Sequence, residues 1–253
     1  MSFQINAQVD HYWGQVYNPE SALVGGAVVS GFGKTGAAYY NPATIAFVEK
    51  SAFSFNVNLM SLQYYRLENA LSDETSLSLT QFVLQPRFIG ALVKPKKFDK
   101  IILEVVVLNR NNYQLDLSDN STGSYDILSA AIGEENYSGL FNHQSIYDER
   151  MYGIGGSKKV SDNLSFGASS FMIYKSSSSS KEITTSVSPK SGNVLTPSSN
   201  SNDYYFASTI LNERIKYLNY RFLMKLGANY QNEKFGLGLN INLPSLNLYS
   251  SGS

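Results

Sequence analysis

The stretch Ser21–Lys50 reads SALVGGAVVSGFGKTGAAYYNPATIAFVEK, and its composition differs from that of the rest of the chain. Gly and Ala dominate it, and Lys34 is its only charged residue before Glu49. Backbone with such small side chains makes a poor strand, but it packs closely inside other structure. From Ser51 onward, apolar and polar residues alternate. We therefore expect this stretch to be a plug, or hatch, inside a β-barrel.

Part of the stretch is similar to a phosphate-binding loop. Gly33-Lys34-Thr35 matches the end of that motif, and Ile101–Glu104 could serve as its apolar-acidic partner strand. The motif also needs a glycine five residues before Gly33, where consecutive backbone N–H groups close around the phosphates. Val28 occupies that position, and no apolar strand precedes the stretch. The spacing therefore argues against nucleotide binding.

The composition excludes several classes of function. The 253 residues have a formal net charge of +0 and contain no Cys, so neither nucleic-acid binding nor Cys-ligated zinc is indicated. Charged residues make up only 16% and Tyr occurs 18 times, which suits a protein with a large non-aqueous surface. His11 and His143 are the only histidines and have no partner spacing. We expect no catalytic residue, no metal site, no cofactor and no enzyme activity.

No window contains the ~18 consecutive apolar residues of a membrane helix, so any membrane contact would be made by a barrel. The N-terminus lacks the charged and apolar regions of a signal peptide. Asn6-Ala7-Gln8 nevertheless resembles the end of one, and we hypothesise that residues 1–8 are the remnant of an export signal. The predicted organisation is an N-terminal segment at 1–20, a hatch at 21–50 and barrel strands at 51–253.

Two short helices are predicted in the hatch. Ser21 can cap a helix over Ser21–Ser30, which Gly31 would end. Asn41 can cap a second helix over Pro42–Val48, because Pro42 at the first position loses no hydrogen bond. Such short helices need support from neighbouring structure.

Seven later segments alternate with a period of two, which predicts strands of an all-β fold. They lie at Ala52–Leu59, Leu77–Pro95, Ile101–Leu117, Ile146–Ser157, Leu164–Tyr174, Leu218–Tyr230 and Phe235–Leu243. The third is longer than the ~5–6 residues of an ordinary strand. Pro86 lies on the apolar face of the second and cannot donate a ladder hydrogen bond. A bulge, kink or local edge is therefore expected at Pro86.

Short and long connections alternate along the chain. Between the strands we expect short turns at Lys96–Lys100, Lys158–Asn163 and Gln231–Lys234, and long stretches near 68–76, 119–144 and 176–203. Within the long ones, the sequence predicts a helix at Tyr125–Ile132, a loop at Gly133–His143 and a mobile, Ser-rich loop at Ser176–Asp203. Short turns on one rim and long loops on the other are typical of an outer-membrane barrel.

Tyrosines at strand ends would fit the aromatic girdles of such a barrel. The residues concerned are Tyr64, Tyr65, Tyr113, Tyr174, Tyr204, Tyr205 and Tyr230. The alternative is a soluble β-protein in which tyrosine reflects strand propensity alone. A closed single-chain barrel has an even number of strands, eight or more. About seven strands mean either that one strand has been missed or that the chain is the N-terminal portion of a longer protein, and we favour the second explanation.

GGAVVSGFGKTGAAYYNPATIAF, residues 25–47, resembles the N-terminal hatch of the FadL/TodX family of outer-membrane transport proteins. Asn41, Pro42 and Ala43 match its Asn-Pro-Ala box, and Gly25 and Gly26 lie in its Gly/Ala-rich part. The resemblance implies a transmembrane antiparallel β-barrel of fourteen strands, about half of them in this chain, with the hatch inside. Asn41 would pin the hatch by hydrogen bonds. The alternative is that the box is only a capped helix start.

The resemblance also implies a function, namely passive uptake of hydrophobic molecules such as long-chain fatty acids or aromatic hydrocarbons. Ligand would shift the hatch and leave through a gap in the wall, for which Pro86 is a candidate. Arg87, Glu104, Arg221 and Lys225 would face the lumen, and we expect them to pair with each other rather than to bind a ligand carboxylate.

From the resemblance we expect the chain to lie in the outer membrane of a Gram-negative bacterium. Its partners there would be a hydrophobic ligand, outer-membrane lipid and lipopolysaccharide. A different class of function is an adhesive barrel that binds partners through residues 176–203. An enzyme is disfavoured because no Ser/His/Asp arrangement is evident. The hatch favours the channel, since an adhesive barrel does not need a plug.

Overall fold

The structure is a computed structural model that describes residues 17, 21, 28–30, 35–48, 51–68, 76–95, 101–127, 134–189 and 206–253. Eight antiparallel strands form one sheet, and part of the hatch lies on one of its faces. The strands are β1 Ala52–Glu68, β2 Ser76–Val93, β3 Ile101–Tyr125, β4 Glu135–Lys159, β5 Leu164–Pro189, β6 Ala207–Gln231, β7 Gly236–Asn242 and β8 Leu246–Gly252. Within these ranges, no helix has the length and apolar character needed to cross a membrane.

Neighbours in sequence are neighbours in the sheet from β1 to β7, and β8 pairs with β6 beyond the end of β7. Among the described residues no ladder joins β1 to β7 or β8, so the sheet is open. The antiparallel all-β prediction is confirmed. The predicted count of seven strands was too low, because β8, with the sequence LNLYSSG, lacks a regular alternation.

Two of the predicted irregular regions are strands. β3 runs to Tyr125 and β4 begins at Glu135, so the predicted loop at Gly133–His143 is wrong from Glu135 onward. β5 continues through the serine run to Pro189, so the predicted loop at Ser176–Asp203 is wrong as far as Pro189. β4 and β6 pair with β5 on both sides of that run and satisfy its backbone, which overrides the weak strand propensity of serine. Residues 128–133 and 190–205 lie outside the described part.

The connections define two ends of the sheet. The turn end carries residues 94–100, 160–163 and 232–235, and the long-connection end carries residues 69–75, 126–134 and 190–206. As predicted, the connections at 160–163 and 232–235 are short, and those at 126–134 and 190–206 are long. The segments 94–100 and 69–75 are equally long, because β2 ends at Val93, two residues before the predicted end at Pro95.

The two faces of the sheet have inverted polarity. We call the face that carries the hatch the inner face. On β6, inner-face Asn219, Lys225 and Asn229 are buried, whereas outer-face Met224 and Leu226 are 38% and 41% exposed. A sheet in water shows the opposite arrangement, with apolar side chains buried and polar ones exposed.

The exposed apolar outer face extends across the sheet. Outer-face residues with large exposed apolar side chains include Phe53, Phe55, Ile89, Val105, Ile154, Phe166, Met172, Leu239 and Ile241. The ladders place several of them side by side, for example Phe55 with Ile89 and Val105 with Ile154. The outer face thus carries a continuous apolar band.

The predicted tyrosine girdle is only partly on this face. Tyr174 and Tyr230 are outward, as predicted. Tyr113 is inward instead and stacks on Tyr147 with ring centroids 5.6 Å apart. A bulge between Asn109 and Asn111 shifts the alternation of β3 by one residue, which turns Tyr113 inward. Tyr204 and Tyr205 lie outside the described residues.

Two apolar clusters lie on the inner face. The hatch cluster joins Ala37, Ala38 and Ile45 to sheet residues such as Phe88 and Phe171. The second cluster lies farther toward the long-connection end and contains Leu77, Leu117 and Phe141, with Leu79, Leu115 and Ile183 packed against it. Between the two clusters the inner face is charged.

Candidate functional site: the hatch and its seat

The described part of the hatch contains two short helical segments, α1 at Ala37–Tyr40 and a 3-10 helix at Pro42–Phe47. Gly36 precedes α1 with φ of 94°, a left-handed conformation that favours glycine. The predicted cap is confirmed, since Asn41 Oδ1 accepts a hydrogen bond from Ala43 N at 3.0 Å. Of the predicted first helix, only Ser21 and residues 28–30 are described, and residues 28–30 are not helical.

Asn41 does more than cap this helix. Its side chain is fully buried, and Nδ2 donates to Val29 O at 2.7 Å and to Ala228 O on β6 at 3.1 Å. One amide therefore joins the 3-10 helix, an earlier hatch segment and strand β6. These two hydrogen bonds support the interpretation that Asn41 pins the hatch to the sheet. If Asn41 only capped the helix, both Nδ2 bonds would be unexplained.

Glu104 and Lys225 bind the hatch from opposite sides. The buried Glu104 carboxylate on β3 accepts from Gly36 N at 2.5 Å and from Ala38 N at 2.6 Å. On β6, Lys225 Nζ donates to Tyr39 O at 2.6 Å and lies 4.0 Å from the centre of the Tyr39 ring. The expectation that these two residues pair with each other was wrong, because the hatch backbone lies between them.

Two serines of β5 complete the polar contacts. Ser165 Oγ donates to Ala43 O and Ser169 Oγ donates to Ala38 O, both at 2.8 Å. Both serines are buried on the inner face. Neither serine was predicted to contact the hatch, although small polar residues alternate with Phe166 and Ala168 and indicate a polar inner face. With Glu104 and Lys225, they form what we call the hatch seat.

Glycines provide the space for the hatch backbone in the seat. Gly167 and Gly227 are paired across β5 and β6, directly beneath the Asn-Pro-Ala box. A Cβ at Gly167 would lie 2.6 Å from Ala43 N, and a Cβ at Gly227 would overlap Asn41 Oδ1. A Cβ at Gly155 would lie 2.8 Å from Ala38 Cβ. The hatch backbone therefore lies closer to the sheet than any residue larger than glycine would allow at these three positions.

Three tyrosines cover the hatch on the side of the charged zone. The ring centroids of Tyr17 and Tyr39 are 4.8 Å apart, and those of Tyr39 and Tyr40 are 5.3 Å apart. Tyr40 Oη accepts from Tyr17 N and lies 2.9 Å from Ser21 Oγ. Burial raises the pKa of all three phenols, so each stays neutral at ordinary pH.

The charged zone next to the tyrosines is built around Glu149. Its Oε1 lies 3.1 Å from Arg110 Nη1 and 3.3 Å from Lys175 Nζ. Tyr147 Oη donates to Glu149 Oε2 at 3.0 Å. This group lies on β3, β4 and β5 between the two apolar clusters. This group was not predicted, because Arg110 occupies a bulge of β3 that brings its side chain toward Glu149.

The remaining predicted lumen residues do not join the seat. Arg87 and Arg221 are half-buried, and their Nε atoms have no hydrogen-bond partner. Within the described residues neither forms an ion pair, so the expected pairing was wrong for them as well. Gly25 and Gly26 lie outside the described residues, as does the phosphate-loop-like Gly33-Lys34.

The predicted irregularity at Pro86 is present in the backbone. Pro86 pairs with Val57 and Phe88 pairs with Asn56, so Arg87 is an extra residue in β2. The ladder between β2 and β3 covers only Phe88–Val93. Beyond Phe88 the two strands have no backbone ladder, and the sheet is split toward the long-connection end.

No protein-family model, curated protein or solved structure matches the chain. Within the described residues, no three His, Asp or Glu side chains are grouped so as to hold a metal ion. The arrangement is therefore interpreted from its geometry, as an antiparallel sheet that binds an N-terminal hatch through polar side chains of its inner face.

Proposed function

We propose that the chain is the N-terminal portion of an outer-membrane β-barrel channel for passive uptake of hydrophobic molecules, gated by the hatch. The observation that carries the proposal is the inverted polarity of the sheet. An apolar outer face and a polar, filled inner face are what a membrane-embedded barrel requires. The FadL/TodX-like sequence of the hatch adds the class of solute, namely long-chain fatty acids or aromatic hydrocarbons.

The height of the apolar band supports the membrane assignment. Tyr174, Tyr220 and Tyr249 form a row on the outer face, with ring centroids 5.5 and 6.3 Å apart. At the turn end, the ring centroids of Tyr230 and Phe235 are 5.9 Å apart. Tyr220 and Tyr230 are separated along β6 by roughly 33 Å, or about 25 Å along the membrane normal at a tilt of ~40°. That height equals the hydrocarbon band of an outer-membrane barrel.

The inner face offers a path for an amphipathic solute. From the long-connection end, a ligand first meets the second apolar cluster around Leu117 and Phe141. It next reaches the charged group around Glu149 and then the tyrosines above the hatch. A solute with an apolar body and a polar head fits this order of surfaces. The hatch closes the path at its end.

The split between β2 and β3 supports lateral exit. Ser76–Arg87 of β2 have no ladder to β3, and Gln81 Nε2 donates to Gln114 O at 2.5 Å across the separation. Unpaired backbone at membrane depth is tolerated only where other groups satisfy it. A side-chain amide that bridges the strands can be displaced more readily than a continuous ladder. The split therefore offers a route from the inner face to the bilayer.

A hatch held by polar contacts can also move. Asn41, Glu104, Lys225 and the two serines each bind backbone atoms, and water can replace these bonds at a net cost of about 1 kcal/mol for a neutral group and about 2 kcal/mol for a charged one. A ligand that displaces Tyr39 would pull on the carbonyl to which Lys225 is bound. Coupling between ligand and hatch follows from that contact.

An adhesive function is the second candidate, and the length of the strands favours it. β5 continues from Tyr174 to Pro189, roughly 50 Å beyond the aromatic row at ~3.3 Å per residue. A channel wall does not need this extension. The projecting sheet could serve as a surface for binding partners.

Uptake of a labelled long-chain fatty acid by cells that express the full-length protein, of which this chain would be the N-terminal portion, tests the proposal. Heat-modifiable gel migration confirms insertion, and a labelled aromatic hydrocarbon serves as a second solute. We expect inserted wild type to take up solute and Asn41→Ala to change the rate, since about 2 kcal/mol of hatch binding is lost. Deletion of 21–48 should abolish gating.

Asn163→Ala is the matched control, because Asn163 lies exposed in a turn and should leave uptake unchanged. An inserted protein that passes neither solute would overturn the channel and favour the adhesive surface. A protein that never enters a membrane would overturn both.

A further inference from the structure

The outer face has a groove immediately beyond the aromatic row, on the side of the long-connection end. Its volume is about 520 Å³, and its lining includes Tyr174, Ser176, Ser178, Lys216 and Leu218. The apolar band ends at this row, so the groove lies where a bilayer changes from hydrocarbon to headgroups. Its lining changes accordingly from aromatic to hydroxyl and ammonium groups.

Two outward cations of β6 dominate the charge there. Lys216 and Arg214 lie on the same face of the strand, and each is paired with a serine of β5, Ser178 and Ser180 respectively. Neither cation forms an ion pair with any residue in the described part of the chain. Arg150, which pairs with Tyr174 in the aromatic row, is neutralised by Asp148 at 2.9 Å. The free positive charge is therefore concentrated at Lys216 and Arg214.

We infer that this groove binds the phosphorylated sugar headgroup of an outer-leaflet glycolipid, that is, lipopolysaccharide. The inference rests on the proposed function, which puts this end of the sheet outside the cell because long connections are extracellular in such barrels. Phosphate oxygens accept charge-assisted hydrogen bonds from lysine and arginine, and sugar hydroxyls pair with serine hydroxyls. Basic side chains at headgroup depth are the usual recognition elements for anionic lipids.

The position favours a lipid over a soluble anion. The groove is open to the outer face, and Tyr174 and Leu218 at its membrane side offer apolar contact to the first atoms of acyl chains. A free phosphate would gain nothing from these two residues. A headgroup whose acyl chains lie against the apolar band can contact both the apolar and the basic parts of the groove.

Binding of purified lipopolysaccharide to the full chain, reconstituted in phosphatidylcholine vesicles, tests this inference. We compare wild type with the double variant Lys216→Gln and Arg214→Gln. Each cation beside an anionic headgroup contributes about a factor of five, so the double variant should bind about 25-fold more weakly. Lys158→Gln is the matched control, since Lys158 is exposed on the outer face at the turn end. It should bind like wild type.

Dephosphorylated lipopolysaccharide should bind wild type as weakly as intact lipopolysaccharide binds the double variant. Equal binding of intact lipopolysaccharide by wild type and double variant would overturn the inference. Displacement by equimolar inorganic phosphate would also overturn it, because the groove would then be a site for a free anion. Heat-modifiable migration separates the two proposals. If the protein inserts but wild type and double variant bind lipopolysaccharide equally, only the proposal for the groove fails. If the protein does not insert into a membrane, both proposals fail.

Discussion

Glu104 and Lys225 bind opposite ends of the same helical turn. The carboxylate accepts hydrogen bonds from the N–H groups of Gly36 and Ala38 at the start of α1, and the ammonium donates to Tyr39 O near its end. Each charge faces the end of the turn whose backbone partial charge is opposite. The hatch is thus held by two residues of the sheet that make no contact with each other.

Replacing Glu104 by Gln should loosen the start of α1. The amide keeps one acceptor and turns a donor toward a backbone N–H, so we expect a loss of about 2 kcal/mol. Hydrogen exchange of the amides of Gly36 and Ala38 should become roughly 30-fold faster. Glu182→Gln, on the outer side of β5, is the control. Unchanged exchange at both amides would show that Glu104 does not hold the hatch.

A methyl group at Gly167 should displace the Asn-Pro-Ala box. The new Cβ would lie 2.6 Å from Ala43 N, and a strand backbone cannot retreat without breaking two ladders. Gly167→Ala should therefore insert normally but raise ion conductance in planar bilayers. Gly252→Ala provides the comparison, because the nearest atom to its Cβ is 3.6 Å away. Equal conductance of the two variants would contradict the close approach.

A disulfide between hatch and sheet should lock the gate. Ala38 Cβ would lie 2.8 Å from a Cβ at Gly155, so a small shift of the hatch brings the pair Ala38→Cys and Gly155→Cys to disulfide distance. The chain has no other Cys to interfere. Uptake should stop on oxidation and return on reduction. Full uptake by a fully cross-linked protein would exclude movement of the hatch as the gating step.

Gln81 should limit the separation of β2 and β3. Gln81→Ala removes the bond to Gln114 O and leaves that part of the split without its described bridge. Spin labels at Ser78 and Asp116 should then show a broader distribution of distances. Gln144→Ala on β4 is the control. An unchanged distribution would mean that the strands are held apart or together by something else.

The sequence indicated those features that depend on neighbours along the chain. The cap at Asn41, the alternation of β6 and the irregularity at Pro86 each follow from residues within a few positions of one another. The seat could not be predicted in this way. Ser165, Ser169 and Gly167 acquire their roles from hatch backbone more than 120 residues earlier in the sequence.

The errors have physical causes. Glu104 was assigned a cation as partner, whereas its partners are backbone N–H groups, which every residue except proline carries and no sequence pattern reveals. Ser176–Ser180 were assigned to a loop, because their propensity is weak and the two strands that pair with them are not visible locally. Tyr113 was assigned outward, since nothing in the sequence marks the bulge at Arg110.

The contact between Asn41 and Ala228 joins residues 187 positions apart. Contacts of such long range are costly to close and form late in folding. The segment that leads the chain can therefore dock only after β3, β5 and β6 are in place. Until then Asn41, Tyr39 and Tyr40 are available to chaperones and proteases, so the exposure of the hatch lasts at least until β6 has paired with β5.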